Sequence, residues 1–248
     1  MIGVLDSGVG GLSVFSEIKR RYPTASVIYL SDKANFPYGD KTEAELLDIV
    51  RNAVKILIEN SAKIVVLACN SATVSTVGVL RNELNIPIVG IEPAIKVAAK
   101  YTKNGKIGMM ATKRTTESHD GKSLAPGCKL LKSHNPFLIA KIENNFSNIC
   151  DDDLHNAMKT FVDFGADSVV LGCTHYHFIL SRLESMYPDI SFYAPTEAVV
   201  RHLVEVIGEK DIELTDGNDI FLCTGSKVEF EKYLYSLLEI KDADIRKI

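Results

Sequence analysis

The sequence predicts an α/β protein built from two similar α/β domains with mainly parallel sheets. Residues 64–68 form a short apolar run rich in β-branched side chains, which is typical of a strand buried on both faces of a parallel sheet. Residues 166–173 repeat residues 62–69 at five of eight positions, and the two segments end in Cys69 and Cys173. Residues 2–7 and 107–112 resemble each other at nearly the same separation. This shared spacing indicates an internal duplication, so we expect a pseudo-twofold relation between the domains and an active site in the cleft between them.

The first half of the chain alternates apolar runs with segments of helical periodicity. Thr42 and Glu45 have the spacing of a capping box and predict a helix start. Strands are predicted at residues 3–6, 27–30, 64–68 and 86–90. Helices are predicted at residues 12–21, 42–60 and 75–84.

The second half repeats this alternation. Asp151, Asp152 and Asp153 are typical of the first turn of a helix, and Gly165 is typical of its end. Strands are predicted at residues 107–111, 166–173, around 192 and 219–224. Helices are predicted at residues 95–101, within 112–127, and at 138–146, 151–164, 178–186, 196–207 and 228–238. The seams between the two halves are expected near residues 92–96 and 207.

Composition excludes several classes of protein. The 248 residues are 46% apolar and 24% charged, with a net charge of −4, which argues against nucleic-acid binding. The N-terminus lacks the features of a signal peptide, and no apolar run approaches the ~18 residues of a membrane helix, so a cytoplasmic protein without membrane contact is expected. The five cysteines are odd in number and widely spaced, which favours reduced thiols.

A glycine-rich loop follows the first predicted strand. Ser7 and three glycines precede a helix, which is the arrangement of an anion site at a helix N-terminus or of a tight turn that needs glycine. Ser13 occupies the place of the third glycine in a dinucleotide fingerprint, so a small carboxylate is the better ligand. Tyr38 and Gly39 lie in a later loop that either closes over a pocket or forms an ordinary turn.

Two thiols at strand ends predict proton transfer at carbon. A thiolate removes a proton and a thiol delivers one, so Cys69 and Cys173 on opposite faces of a planar intermediate would invert a stereocentre. Hydrogen-bond donors stand beside them in Ser7, Asn70, Ser71 and Thr174, and Asp6 and His175 are the nearest titratable groups. The chain shows no obvious pyridoxal motif, and a lone lysine that binds pyridoxal stays open as an alternative.

Three alternatives compete with this interpretation. Cys173, His175 and His177 alternate as metal ligands on an extended strand do, although zinc requires further ligands. Cys173 and His175 fit a thiol hydrolase but leave Cys69 unused. Both thiols are also compatible with a buried structural role, against which the polar residues after each of them argue. The sequence pattern alone gives no reason to assign a function to Glu143, because an exposed glutamate on a helix is usually solvated.

The motifs resemble those of the glutamate racemases, within the aspartate/glutamate racemase superfamily. The resemblance runs nearly end to end and rests on five segments, namely Asp6-Ser-Gly-Val-Gly-Gly-Leu12, Phe36-Pro-Tyr-Gly39, Ala68-Cys-Asn-Ser-Ala72, Val89-Gly-Ile-Glu-Pro93 and Leu171-Gly-Cys-Thr-His-Tyr176. Three segments depart from the family pattern: His177 replaces a proline, Asn135-Pro-Phe137 replaces a segment with cysteine or serine, and residues 194–197 differ.

The resemblance implies a cofactor-independent interconversion of L- and D-glutamate, with D-glutamate supplied for peptidoglycan. Cys173 would serve the L enantiomer and Cys69 the D enantiomer, assisted by Asp6, Glu143 and His175. The substrate would be bound by Asp6, Ser7, Tyr38, Gly39, Asn70, Ser71, Thr174 and His175. It also implies a homodimer, a first domain of residues 1–94 and 208–248, and a second of 95–207. A racemase for aspartate or another acidic substrate, and a weakly active homologue that binds an acidic metabolite or a protein partner, stay open as alternatives.

Overall fold

The computed structural model describes residues 1–121, 124, 126–208 and 218–248. The chain divides into two compact units. The first comprises Met1–Ile91 and Thr196–Ile248, and the second comprises Glu92–Pro195.

The first unit contains, in the described part of the chain, a six-stranded parallel sheet of order β10-β9-β2-β1-β3-β4. Its strands are β1 (Ile2–Asp6), β2 (Val27–Ser31), β3 (Ile64–Leu67), β4 (Ile88–Gly90), β9 (Ile220–Cys223) and β10 (Asp244–Lys247). Every residue of β1, β2 and β3 is buried, because helices cover both faces of a parallel sheet.

Five helices of the first unit are described. They are α1 (Leu12–Arg21), α2 (Glu43–Glu59), α3 (Asn70–Glu83), α9 (Thr196–Ile207) and α10 (Lys227–Leu238). The predicted capping box is present, since Thr42 Oγ1 accepts a hydrogen bond from Glu45 N and Glu45 Oε2 accepts one from Thr42 N. The apolar stripe of α2 buries Leu46, Val50 and Leu57 against the sheet core.

The second unit contains a four-stranded parallel sheet of order β6-β5-β7-β8 within its described residues. Its strands are β5 (Lys106–Ala111), β6 (Lys129–His134), β7 (Ser168–Gly172) and β8 (Ser191–Tyr193). Its helices are α4 (Ile95–Tyr101), α5 (Lys113–Ser118), α6 (Pro136–Asn145), α7 (Asp151–Phe164) and α8 (Leu180–Met186). Strands β2-β1-β3-β4 of the first sheet and β6-β5-β7-β8 of the second follow the same order, so the duplication read from the sequence is present in the topology. Strands β9 and β10 extend the first sheet beyond this shared part.

The second seam lies at a different place from the one expected. The sequence analysis assigned residues 95–207 to the second domain, whereas Thr196–Ile207 belongs to the first unit. Helix α9 packs against α1 and β4 of that unit, and Arg21 forms an ion pair with Glu197 (3.6 Å). Pattern alone could not place the helix, because its apolar stripe is compatible with either sheet.

Two strands and one helix start also differ from expectation. Strands β6 and β10 were not predicted, because each lies at the edge of its sheet and carries charged residues along an exposed side. Helix α3 begins at Asn70 rather than near residue 75, since Thr73 N donates to Cys69 O (2.9 Å) directly after the strand. Over the described residues, no helix combines the length and apolarity that a membrane span requires.

Candidate active site

Cys69 lies where strand β3 passes into helix α3. It is the N-cap residue of that helix and is 8% exposed. Thr73 fixes the junction, because its Oγ1 donates to Leu67 O (3.1 Å) and accepts from Ile91 N (3.2 Å). Ser71, in the first turn of the helix, is buried. The thiol is therefore held at the positive end of a helix dipole, where negative charge is favoured.

The glycine loop packs closely on Asp6, the last residue of β1. Asp6 is fully buried, and its Oδ1 accepts a hydrogen bond from Gly8 N (2.8 Å). A Cβ atom at Gly11 would lie 2.7 Å from Asp6 Cβ, so only glycine allows this approach. Ser7, next in the chain, places its Oγ 4.0 Å from Cys69 Sγ. The loop thus brings a carboxylate and a hydroxyl to the same end of the sheet as the thiol.

Tyr38 is held beside this thiol by a buried carboxylate. Its hydroxyl donates to Asp32 Oδ2 (2.7 Å), and Thr224 Oγ1 donates to Asp32 Oδ1 (2.9 Å). Burial, followed by the negative charges of Asp32, Cys69 and Asp6, holds the pKa of the Tyr38 phenol well above its usual value. The phenol therefore stays neutral. Gly39 follows in a half-buried 3₁₀ turn over Tyr38–Asp40.

Asn70 has an unsatisfied polar atom. The residue is 2% exposed, and its Nδ2 donates a long hydrogen bond to Ile91 O (3.5 Å). Its Oδ1 is buried without a hydrogen-bond partner among the described residues. Because a buried carbonyl oxygen without a donor is costly, this atom is a candidate acceptor for a bound ligand.

The second unit places Cys173 at the equivalent point, directly after strand β7. It is 8% exposed, and the buried Thr174 begins a 3₁₀ segment that extends to Ile179. Cys173 Sγ lies 3.5 Å from His175 Nδ1, and His175 Nε2 lies 2.7 Å from Glu143 Oε2. His175 is 3% exposed and Glu143 is fully buried. The thiol, imidazole and carboxylate therefore form a continuous buried chain.

The contacts of His175 with Cys173 and Glu143 determine how its ring can carry a proton. Burial lowers the pKa of His175, but the negative charges and hydrogen bonds of Cys173 and Glu143 outweigh burial and raise the pKa well above its usual value. A carboxylate only accepts, so Nε2 carries the proton that points to Glu143. Nδ1 then takes a proton from the Cys173 thiol or returns it to the thiolate.

Glu143 corrects the interpretation made from the sequence pattern. A glutamate on a helix was expected to be solvated, whereas this one lies on the buried face of α6 with Leu138, Ile139 and Ile142. Asn135 caps the helix, since its Oδ1 accepts from Leu138 N (2.9 Å), and Pro136 occupies the first turn. Asn135 and Pro136, where the sequence departs from the family pattern, thus begin α6 with a side-chain cap and a favourable proline.

The proposed metal ligands do not assemble. Among the residues that the structure describes, no group of three or more His, Cys, Asp or Glu side chains is arranged to hold a metal ion. His177 packs edge-on against Phe178 (6.4 Å between ring centroids).

Comparison with known proteins assigns the chain to a family. Residues 2–203 match the family described as Asp/Glu/Hydantoin racemase. The chain belongs to this family. It is an amino-acid racemase, an isomerase, and it is 36% identical to the glutamate racemase of Stutzerimonas stutzeri over 242 residues, 94% of this chain and 92% of that one.

Solved structures agree with this assignment. The racemase superposes with a TM-score of 0.87 on the Escherichia coli glutamate racemase, crystallised with L-glutamate and the activator UDP-MurNAc-Ala, at 28% identity and over 99% and 96% of the two chains. The glutamate racemase of Bacillus anthracis gives a TM-score of 0.84 at 30% identity over 100% and 97%.

Sequence reasoning missed two residues of the candidate site. Asp32 accepts hydrogen bonds from both Tyr38 and Thr224, yet Asp32 and Thr224 are 192 positions apart and no local pattern joins them. The sequence indicated them only through their position. Asp32 directly follows β2 and Thr224 directly follows β9, at the carboxyl edge of the sheet where ligands bind.

Proposed function

We propose that this racemase interconverts L- and D-glutamate without a cofactor, with Cys69 and Cys173 as the two acid–base groups. The observation that carries the proposal is the repeated placement of a buried thiol at the carboxyl end of one strand in each unit, β3 and β7. Each thiol has its own polar neighbours, Ser7 for Cys69 and His175 for Cys173. Two thiols of this kind, acting on one substrate molecule from opposite faces, satisfy the requirement for inversion.

Glutamate is favoured over aspartate as the substrate by the relatives. The curated relatives that are 32–38% identical to this chain carry the name glutamate racemase. An aspartate racemase of Picrophilus torridus shares the fold at 16% identity and a TM-score of 0.53, which carries no information on substrate. Aspartate or another acidic substrate is the second candidate.

The Cys173 side would serve the L enantiomer. In the thiolate form, Cys173 Sγ takes the proton from Cα, and the resulting thiol lies 3.5 Å from His175 Nδ1. Before this transfer the imidazolium stabilises the thiolate through Nδ1; afterwards the abstracted proton stays on Sγ. Glu143 orients the ring through Nε2. Thr174, adjacent to the thiol, is proposed to bind substrate.

The Cys69 side would serve the D enantiomer. The thiol delivers its proton to the opposite face of the planar intermediate, and Asp6 assists as a buried carboxylate at that end of the sheet. Asn70 Oδ1, for which the described part of the chain provides no donor, is proposed to accept from the substrate ammonium group. Ser7, Tyr38, Gly39 and Ser71 complete the binding set, and the N-terminus of α3 favours the substrate carboxylate.

The cellular setting follows from this assignment. We propose that the racemase acts in the cytoplasm as a homodimer and supplies D-glutamate for peptidoglycan. The supply of D-glutamate is supported by the name glutamate racemase that the relatives carry.

The test is α-proton exchange in D₂O followed by NMR, with optical rotation to follow inversion. Wild type is incubated in turn with L-glutamate, D-glutamate, L-aspartate and D-aspartate. Exchange with inversion of glutamate is expected, and Cys69→Ser or Cys173→Ser should abolish it or restrict it to one enantiomer. Cys150→Ser is the matched control, because Cys150 is exposed and caps α7, where serine caps equally well.

Two results would change the proposal. Exchange confined to aspartate would keep the two-thiol mechanism and replace the substrate. Absence of exchange with all four amino acids, together with retained binding of glutamate, would identify a binding protein and refute the racemisation of acidic amino acids.

A further inference from the structure

The first unit contains a cavity that shares no lining residue with the site described above. Its volume is about 420 Å³, within the range of small-molecule sites. It lies between α1, strands β9 and β10 and the turn that joins α10 to β10. Phe15 and Lys19 belong to one face of α1, and Asp219 and Phe221 alternate along the approach to β9.

The floor of the cavity is aromatic and ordered. Phe15 and Phe221 are 3% and 2% exposed, and their ring centroids lie 5.1 Å apart at an interplanar angle of 55°. Phe230 packs on Phe221 from another direction (6.1 Å). Leu238 and Ile240 extend the apolar wall. Little of either phenylalanine ring is exposed, so the half-buried Leu238 and Ile240 provide the accessible apolar surface for a flat group.

The charged rim is predominantly acidic. Among the described lining residues, Lys19 is the single cation, and its Nζ already donates to Ala25 O (2.7 Å) and pairs with Asp219 Oδ2 (3.1 Å). Asp244 is paired with Arg246. Asp242 has no hydrogen-bond or ion-pair partner among the described residues. The rim therefore offers one carboxylate that is not engaged by a cation and offers no unengaged cation.

The backbone holds Asp242 in a conformation that few residues adopt. Its φ is 55°, in the left-handed region, where aspartate and asparagine are tolerated better than most residues. Asparagine at this position would keep the turn and the size of the side chain while removing the charge. This feature provides a substitution that tests the charge without disturbing the fold.

We propose that this cavity binds a small ligand with a flat aromatic ring and a protonated amino group. The ring would pack against Leu238, Ile240 and the small exposed part of Phe15 and Phe221. The ammonium group would pair with Asp242 at the rim. The proposal does not depend on the racemase substrate, because a dicarboxylic amino acid has the opposite charge preference and no aromatic ring. The cavity would thus take a different class of molecule from the catalytic site.

The test uses three indole probes of similar size and different charge. Tryptamine is cationic, indole-3-ethanol is neutral and indole-3-propionate is anionic. Binding to the full chain is measured by isothermal titration calorimetry and saturation-transfer NMR at low salt. We expect tryptamine to bind most tightly and indole-3-propionate least tightly. The difference in affinity between them should become smaller as added salt screens the rim charges.

Two variants locate the binding. Asp242→Asn should weaken tryptamine roughly threefold and leave indole-3-ethanol unchanged, as expected for an exposed ion pair. Ala243→Leu, which adds volume at a lining residue, should weaken all three probes. Glu231→Gln is the control, because it removes an exposed charge from nearby α10 outside the cavity lining. Thermal melting shows whether each variant is folded.

The proposal is overturned by any of three results. These are equal binding of the cationic and anionic probes, unchanged tryptamine affinity in Asp242→Asn, and displacement of tryptamine by saturating D-glutamate. The last result would place the probe in the catalytic site instead. Retained racemisation in Asp242→Asn is expected in every case, so loss of the cavity proposal is distinguishable from loss of the proposed activity.

Discussion

The chain from Cys173 through His175 to Glu143 explains how a helix residue without a sequence signal enters the chemistry. Buried carboxylates need partners, and Glu143 finds its partner in His175 at 2.7 Å. Removing the carboxylate charge while keeping the shape of the side chain isolates its electrostatic role.

Glu143→Gln is expected to slow exchange of L-glutamate more than exchange of D-glutamate. The Glu143 charge helps to raise the pKa of His175, so its removal lowers the pH at which the imidazole loses its second proton. Any limb of the pH–rate profile that reports His175 should therefore move to lower pH. The measurement is α-proton exchange of each enantiomer across the pH range.

Glu184→Gln is the matched control for this variant, because Glu184 is an exposed glutamate on α8 of the same unit. An equal loss for both enantiomers with an unmoved pH profile would contradict the role given to Glu143.

At the scale of elements, helix α6 positions Glu143, and its N-terminus is secured at one residue. Asn135 Oδ1 caps the helix, and Asn135 O accepts a hydrogen bond from Tyr176 OH (3.5 Å) in the segment that carries His175. The cap therefore lies where helix α6, which carries Glu143, contacts the 3₁₀ segment that carries His175.

Asn135→Ala is expected to lower the free energy of unfolding by about 1 kcal/mol, the usual cost of a lost cap. Asn135→Ser should remain close to wild type, because serine caps as well as asparagine. Thermal melting and L-glutamate exchange are measured together, and the alanine variant should lose activity below its melting transition. Equal melting temperatures for the alanine and serine variants would show that the cap contributes nothing.

At the scale of the whole molecule, the C-terminal segment completes the first sheet. Strand β9 pairs with β2, and Phe221, Leu222 and Phe230 are buried in the first unit. A chain that ends at Ile207 would leave the backbone of β2 unpaired along one side. It would also lack Phe221 and Phe230, and so expose Phe15 and Tyr29, which pack against them.

Deletion of residues 208–248 is expected to give an insoluble or aggregating protein. A matched deletion of residues 244–248 removes only the outer strand β10, of which Ile245 alone is buried, and should remain soluble. Circular dichroism and size-exclusion chromatography distinguish the outcomes. A soluble, folded protein ending at Ile207 would contradict the assignment of β9 to the core of this unit.

Much of the fold follows from the sequence because it is encoded locally. Buried strands such as β3 and β7 show as β-branched runs, the start of α2 shows in Thr42 and Glu45, and Gly165 ends α7 in the left-handed conformation (φ 75°). The duplicated spacing was visible because both halves retain their strand ends. The placement of both thiols at those ends followed from the same local signals.

The tertiary structure alone decided the contacts that join distant parts of the chain. Asp32 and Thr224 meet across 192 positions, Glu143 meets His175 across 32, and α9 joins the first unit instead of the second. Edge strands β6 and β10 also escaped prediction, since a strand with one exposed side carries no strong apolar pattern. The physical reason is common to all of them: a residue's burial and partners depend on which surfaces pack together, and local periodicity does not encode that choice.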